Sequence, residues 1–308
     1  MPATSIASSL DREDGSSARS DDARFHAAQA VRAYYRRTAW DFHLVWSPCD
    51  FHFGLYEDGC VTHRAALRNT NRLLADLAGV GAGSRVLDAG CGVGGTTLWL
   101  ARERGAEVTG VTLVPEQVEI GRRRAERGGL AHLAEFREAD YTDTGLEPAS
   151  FDAVVAAESL CHAPDKAAFY REAARLLRPG GRLVMTEYMR TPDITAADDA
   201  RLLDEWLAGW ALAGIDTADS HRGYAKAAGF DEVRVEDCSE RFRRSLRRLY
   251  LVSGAGYPLA WIAWRLGIRD DVQHGNVVGS IRFYQALRRR SWSYGLLTAT
   301  KPATPEAR

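Results

Sequence analysis

The feature that most constrains this chain is a short apolar strand running straight into a glycine-rich turn. Residues 86–95 read VLDAGCGVGG, and the helix-forming TTLWLARERG follows directly. Glycines at such a turn let the backbone approach a ligand closely and leave the first helix N–H groups pointing at it. A strand this apolar needs neighbours on both sides, and the next hundred residues supply them. AEVTGVTL, AEFREAD, FDAVVAAES and GRLVMTEYM read as strands. They alternate with the helical PEQVEIGRRRAERGG, which has Pro115 at a favoured first position, and DKAAFYREAARLLRPGG. This rhythm predicts an α/β fold, a mostly parallel sheet with helices on both faces.

The flanks predict additions to that core. Residues 1–24 are rich in Ser, Ala and Asp without apolar periodicity and read as a disordered tail. Residues 25–80 read as an N-terminal helical cap: a helix over 25–45, an aromatic loop (WSPCDFHFGLYEDG), and a helix over 61–78 that should end at Gly79 or Gly81. The core then occupies 81–308, with helical lid insertions at about 192–220 and 240–290. HRGYAKAAGFDEVRVED between them reads as helix then strand, and SWSYGLLTAT as a last strand, giving seven strands in all. Within the second insertion, residues 249–264 carry no charge. They are fewer than the ~20 a spanning helix needs and include Gly254, Gly256 and Pro258, so they read as a buried or substrate-facing lid, with a peripheral membrane contact as the lesser alternative.

A net charge of −1 gives no overall attraction to nucleic acid, although the cations are nearly all arginine, with lysine only at 166, 226 and 301. Five scattered cysteines (Cys49, Cys60, Cys91, Cys161, Cys238) form no CxxC pair and no disulfide framework. The polar first twenty-odd residues do not read as a secretory leader, and a reducing cytoplasm is the expected compartment. The N-terminal helix can cap its own site or a neighbour's, which leaves a homo-oligomer open.

A glycine-rich turn alone also suits a dinucleotide. Here the carboxylate of Asp88 precedes the glycines, where it can hold an ammonium group, and the second strand ends in Thr112-Leu113 rather than the acidic residue expected for an NAD ribose. DAGCGVGG, VTGVTLVPEQ, EADY, SFDAVVAAES and LLRPGGRLVMTE, in this order over about residues 84–190, resemble the class I S-adenosylmethionine (SAM)-dependent methyltransferases. The resemblance implies a Rossmann-like, seven-stranded sheet with SAM as cofactor. It further implies Asp88, Gly90, Gly92 and Gly94 around the methionine part, Thr112, Leu113 and Gln117 near the ribose, and Asp140 and Tyr141 near the adenine.

Within that family the chain resembles the sterol, tocopherol and prenyl-diphosphate methyltransferases and the sarcosine-type N-methyltransferases, which commonly carry a glutamate where this chain has Glu158. The FHFG element at 51–54 and the C-terminal FYQALRRRSWSYGLLTATKP resemble the sterol and prenyl-diphosphate group. The implied reaction is methylation of an isoprenoid alkene, on a prenyl diphosphate or the prenyl chain of a terpenoid natural product. The alternative is N- or O-methylation of a small metabolite. Alkene methylation needs a π bond in line with the methyl, aromatic faces for the developing cation, and a base. Glu158 is the candidate base, with His162, His52 and Tyr35 as further catalytic candidates. Trp46, Phe53, Glu187, Trp206 and Trp210 are candidate substrate-lining residues, and Tyr34, Trp40, Phe51 and Tyr188 add to the supply. Arginines at 241, 243, 244, 247, 248 and 288–290 can either clamp a diphosphate, which would then bring Mg²⁺, or form solvated helix faces. No metal site is otherwise indicated.

Overall fold

The computed structural model describes residues 10–57, 59–192 and 194–303, with side chains from residue 24 onward. Its centre is a seven-stranded sheet in the order β3-β2-β1-β4-β5-β7-β6. β1 (Arg85–Ala89) pairs in parallel with β2 (Glu107–Thr112) on one side and β4 (Phe151–Ala157) on the other. β3 (Ala134–Glu138) and β5 (Leu177–Arg190) extend the parallel sheet outward. The last strand in sequence, β7 (Trp292–Thr300), runs antiparallel between β5 and β6 (Asp231–Asp237). β1 and β4 are apolar on both faces because helices cover both. β6, at the edge, is mostly exposed and rich in charge, a pattern that discourages pairing with another chain. Strand order reverses between β1 and β4, and in open α/β sheets ligands bind at the carboxyl ends beside such a reversal.

α3 (Gly95–Arg104), α4 (Pro115–Arg127), α5 (Lys166–Leu176) and α7 (Ala218–Ala227) cover the sheet. α2 (His63–Ala78) begins where the Thr62 hydroxyl accepts from the Ala65 amide and stops at Gly79, left-handed at φ 68°. α5 is capped by Asp165, so His162 ends a short 3₁₀ turn and does not cap the helix. The expected tail over 1–24 overlaps the first helix. α1 spans Leu10–Asp41, and residues 1–9 lie outside the described residues. Once Val31 and Tyr34 are anchored in the core, adding polar turns upstream costs little because the helix nucleus already exists. The helix expected to 45 stops at Asp41, and residues 42–46 form a π turn.

The two insertions pack on one another. α6 (Ala197–Gly209) crosses α9 (Asp271–Arg288) so closely that a Cβ on Gly209 would fall 2.4 Å from the Gly275 carbonyl oxygen. α8 (Ser239–Arg265) lies beside α9 and completes the lid. Beneath them sits an aromatic cluster in which Trp206 is 4.9 Å from Trp292 and 5.2 Å from Tyr188, centroid to centroid. Trp206 is therefore fully buried core and, contrary to expectation, is not among the residues lining the cavity at the carboxyl ends of the sheet. Helical spacing placed it on the apolar face but could not say which neighbour that face meets. Replacing Trp206 by Ala should destabilise the fold by about 3–5 kcal/mol in denaturant titration, with SAM affinity at permissive temperature close to that of the parent.

Candidate active site

A cavity of 460 Å³ opens at the carboxyl ends of β1, β2 and β4 and extends under α1, α8 and α9. Its sheet-side half contains Asp88, Gly90, Gly92, Thr112, Leu113, Gln117 and Tyr141, seven of the nine expected cofactor residues. At Gly90, φ is 85° and a Cβ would fall 2.3 Å from that of Ser159, so only glycine lets the turn pass. Ser159 closes this contact by donating to the Ala89 carbonyl, and the Tyr141 hydroxyl donates to the Ser159 carbonyl. Thr112 donates to Gln117 Oε1 at 2.7 Å, which leaves the Gln117 amide nitrogen for a ligand hydroxyl. Gly94 caps α3 just behind the lining, and Asp140 is also outside it, its Oδ1 accepting from the Thr142 amide and hydroxyl. Asp140 thus shapes its own turn through one carboxylate oxygen, beside Tyr141, which does line the cavity.

Asp88 is the test of cofactor fit. It is buried, accepts from Thr97 at 2.6 Å, and among the described residues has no ion pair. Burial pushes its carboxyl up to about 6, with the Thr97 hydroxyl and His52 pulling the other way. A desolvated carboxylate beside a glycine cradle suits the ammonium end of SAM.

The lid-side half is built around Glu158. The residue after β4 has a left-handed backbone, φ 56°, held by its own amide donating to the Thr186 carbonyl. Non-glycine residues in this region are strained and persist where surrounding structure over-determines them. The strain aims the side chain into the cavity. There the Phe53 amide and the Tyr294 hydroxyl each donate to Oε1 at 2.6 Å, and the Tyr188 hydroxyl donates to Oε2. Burial raises the Glu158 carboxyl above its usual range, opposed by Tyr188, Tyr294, Phe53 and His52 in that order. Burial also keeps both phenols well above their ordinary value, so they stay protonated donors. Tyr294 was not singled out in the sequence. It faces Tyr188 across the antiparallel β5–β7 pair, and such a register cannot be read from the residues of the last strand alone.

The other catalytic candidates fall into two pairs. Tyr35 and His162 both line the cavity, the Tyr35 hydroxyl 3.1 Å from His162 Nε2. Burial lowers His162 to about 4, so it is neutral, donating from Nδ1 to Ala211 and accepting from Tyr35. His52 behaves oppositely. Burial pulls it down, but Asp50, whose Oδ1 is 3.5 Å from Nε2, outweighs this together with the Phe53 carbonyl and Glu158 and lifts it to about 9. A histidine protonated at neutral pH is a poor base. His52 instead holds the Asp50–Phe53 loop and adds positive charge near Glu158.

Of the expected substrate-lining residues, Trp46, Phe53 and Trp210 face the cavity. Glu187 does not. It is fully buried behind the wall, accepting from the Cys161 and Tyr188 amides, and burial raises it to about 7. Strand alternation accounts for the error, since neighbouring residues of β5 point to opposite faces and Tyr188 takes the cavity side. Trp40 is exposed and faces a second cavity between α1 and α4. The candidate diphosphate clamp is also corrected. None of its arginines lines the cavity, while Arg241 pairs with Glu57, Arg243 with Glu240 and Arg289 with Asp199. The guanidinium that does line it, Arg269, is bound through two nitrogens to Asp41.

Replacing Asp88 by Asn should weaken SAM binding in calorimetry by roughly ten- to a hundredfold, the worth of a hydrogen bond to a charged group. In the parent chain, affinity should be level above pH 7 and fall as pH drops through about 6, because protonation removes the charge that the ammonium needs. An affinity flat down to pH 5 would assign the ammonium elsewhere.

Residues 87–185 match the methyltransferase domain family. Over 226 residues the chain is 30% identical to the sarcosine/dimethylglycine N-methyltransferase of Halorhodospira halochloris, covering 72% of this chain and 80% of that protein. It is 32% identical over 218 residues to the sterol 24-C-methyltransferase erg-4 of Neurospora crassa, covering 70% of this chain and 56% of the other. Among solved structures, the (4+2)-cyclase SpnF superposes with a TM-score of 0.74 at 28% identity, over 89% of this chain and 96% of that one. The glycine turn, the strand order and these likenesses agree, and the chain belongs to the class I SAM-dependent methyltransferases.

Proposed function

We propose that this methyltransferase forms a carbon–carbon bond, placing a methyl group on an alkene carbon of an apolar isoprenoid acceptor, the prenyl chain of a terpenoid natural product. One observation carries the reading: a buried carboxylate, Glu158, held by three donors and facing aromatic walls. The likeness to a sterol 24-C-methyltransferase supports it. A diphosphate acceptor has less support, because Arg269 is committed to Asp41 and the other clamp candidates lie off the cavity.

SAM supplies an electrophilic methyl group on a sulfonium. The cavity walls would position the acceptor's π bond toward that methyl and exclude water, which would otherwise capture a cation. With SAM bound, forming the new C–C bond as the C–S bond breaks would leave positive charge on the neighbouring alkene carbon. Phe51, Phe53, Trp46 and Tyr188 present ring faces or edges to this space, and ring faces stabilise a cation. Glu158, whose donors favour its charged form against burial, stabilises the same charge and then receives the proton from the adjacent carbon, restoring an alkene. A carbocation is a strong acid, so a carboxylate of modest basicity suffices.

Methyl transfer to nitrogen or oxygen of a small metabolite is favoured by one observation, the neutral Tyr35–His162 pair, which can accept a proton from a hydroxyl. Methyl-labelled SAM with a pool of prenylated compounds and a pool of small amines and phenols separates the two. Carbon methylation predicts label in a prenylated product, falling by about 10²-fold or more in Glu158→Gln, as expected for loss of a positioned base, with His162→Gln much less affected. Label confined to amines or phenols and abolished by His162→Gln overturns the proposal.

A further inference from the structure

We propose that α8 is a membrane-docking helix that seats the cavity mouth on an anionic bilayer surface. α8 is apolar on two faces. Leu249, Val252, Gly256, Ala260 and Ala263, spaced as one helical stripe, line the cavity. The outer side and the edge beside the cavity are exposed among the described residues. Leu259 is 75% exposed, Leu266 69%, Leu251 51%, Ile262 47% and Trp261 44%. A helix apolar all round is ordinarily buried, and a contiguous exposed apolar patch marks a binding surface. The patch reaches the cavity, because Leu259 of α8 and Val45 of the π turn are both exposed and both part of its lining.

Charge selects the occupant. Residues 239–290 carry eleven arginines against three carboxylates, Glu240, Asp270 and Asp271, a formal charge of +8 in a chain whose total is −1. Arg244, Arg247, Arg248 and Arg265 fall on the same turns as the outer apolar residues, and among the described residues none of them is ion-paired to a carboxylate. A second copy of this face would oppose like charges. An amphipathic surface of tryptophan and aliphatic side chains edged by arginine fits the headgroup layer of an anionic membrane. The uncharged run over 249–264 extends only about 24 Å as a helix, shorter than a bilayer core. No helix of the described residues is long and apolar enough to cross a membrane, so α8 lies in the surface plane. Docking stands on this surface alone and holds whichever atom of the acceptor is methylated.

The full chain is floated on a density gradient with phosphatidylcholine vesicles, with and without phosphatidylglycerol. Docking predicts that it rises with the mixed vesicles and at least about tenfold less with phosphatidylcholine alone or at high salt, as for an electrostatically assisted interfacial helix. Trp261→Asp/Ile262→Asp, two positions outside the cavity lining, should stay at the bottom with thermal unfolding and SAM affinity unchanged. If that variant misfolds, Arg247→Glu/Arg265→Glu makes the same test on the charge. Parent chain that stays at the bottom, or floats no better than the variants, overturns the proposal. A dimer that the variants dissociate, without flotation, assigns the face to a second copy instead.

Discussion

The Glu158 carboxylate, tied by three donors from separate parts of the chain, is the interaction on which the rest of the site depends. Its partners are the amide of Phe53 in the cap loop, the hydroxyl of Tyr188 on β5 and that of Tyr294 on β7. These hydrogen bonds join the N-terminal cap, the parallel sheet and the antiparallel final strand at one point. A carboxylate in an apolar cavity would otherwise take up a proton, and donors to the charged form oppose that. The strained backbone at Glu158 is the geometric cost of aiming it, and the Ser159–Ala89 and Tyr141–Ser159 hydrogen bonds carry the constraint into the cofactor turn. Cofactor and acceptor halves of the cavity are thus held in one register, as in-line methyl transfer requires.

What the sequence made legible follows the physics of local pattern. Strands β1 to β5 and the glycine turn are set by apolar runs and by residues that can take positive φ, so the sheet could be read directly, while the expected roles of Thr112 and Gln117 came from the family resemblance. Contacts between distant segments could not. Trp206 lies in the last turn of α6 and Trp210 just past its end, yet the first is sealed behind Trp292 and the second meets the cavity. Glu187 and Tyr188 are adjacent, and only the pairing of β5 with β7 decides which one meets the acceptor space. The arginine runs looked equally suited to a clamp or a solvated face, and their distance from the cavity separates the two.

The lid divides its labour by side. One face of α8 completes an apolar chamber and the other presents an apolar, arginine-edged surface to whatever lies outside. The near-neutral total charge conceals this polarity, because the net negative charge of residues 81–238 offsets the positive excess of residues 239–290. α1 is drawn over the opposite side by Arg32 bonding to Leu113 and Glu138, and by Arg269 pairing with Asp41 at its end. The cavity is therefore closed toward the sheet and walled by α1, with its apolar mouth beside α8. An acceptor that partitions into lipid reaches such a mouth more readily than one dissolved in water.

The central claim is that Glu158 is the ionised group on which methyl transfer depends, and the pH profile of transfer in Tyr188→Phe/Tyr294→Phe tests it most directly. Removing donors to the charged form raises a carboxyl pKa. The account predicts that the acid limb of the rate moves to higher pH by about one unit or more, with SAM affinity unchanged. An acid limb that stays in place would show that some other group governs the reaction and would contradict the account.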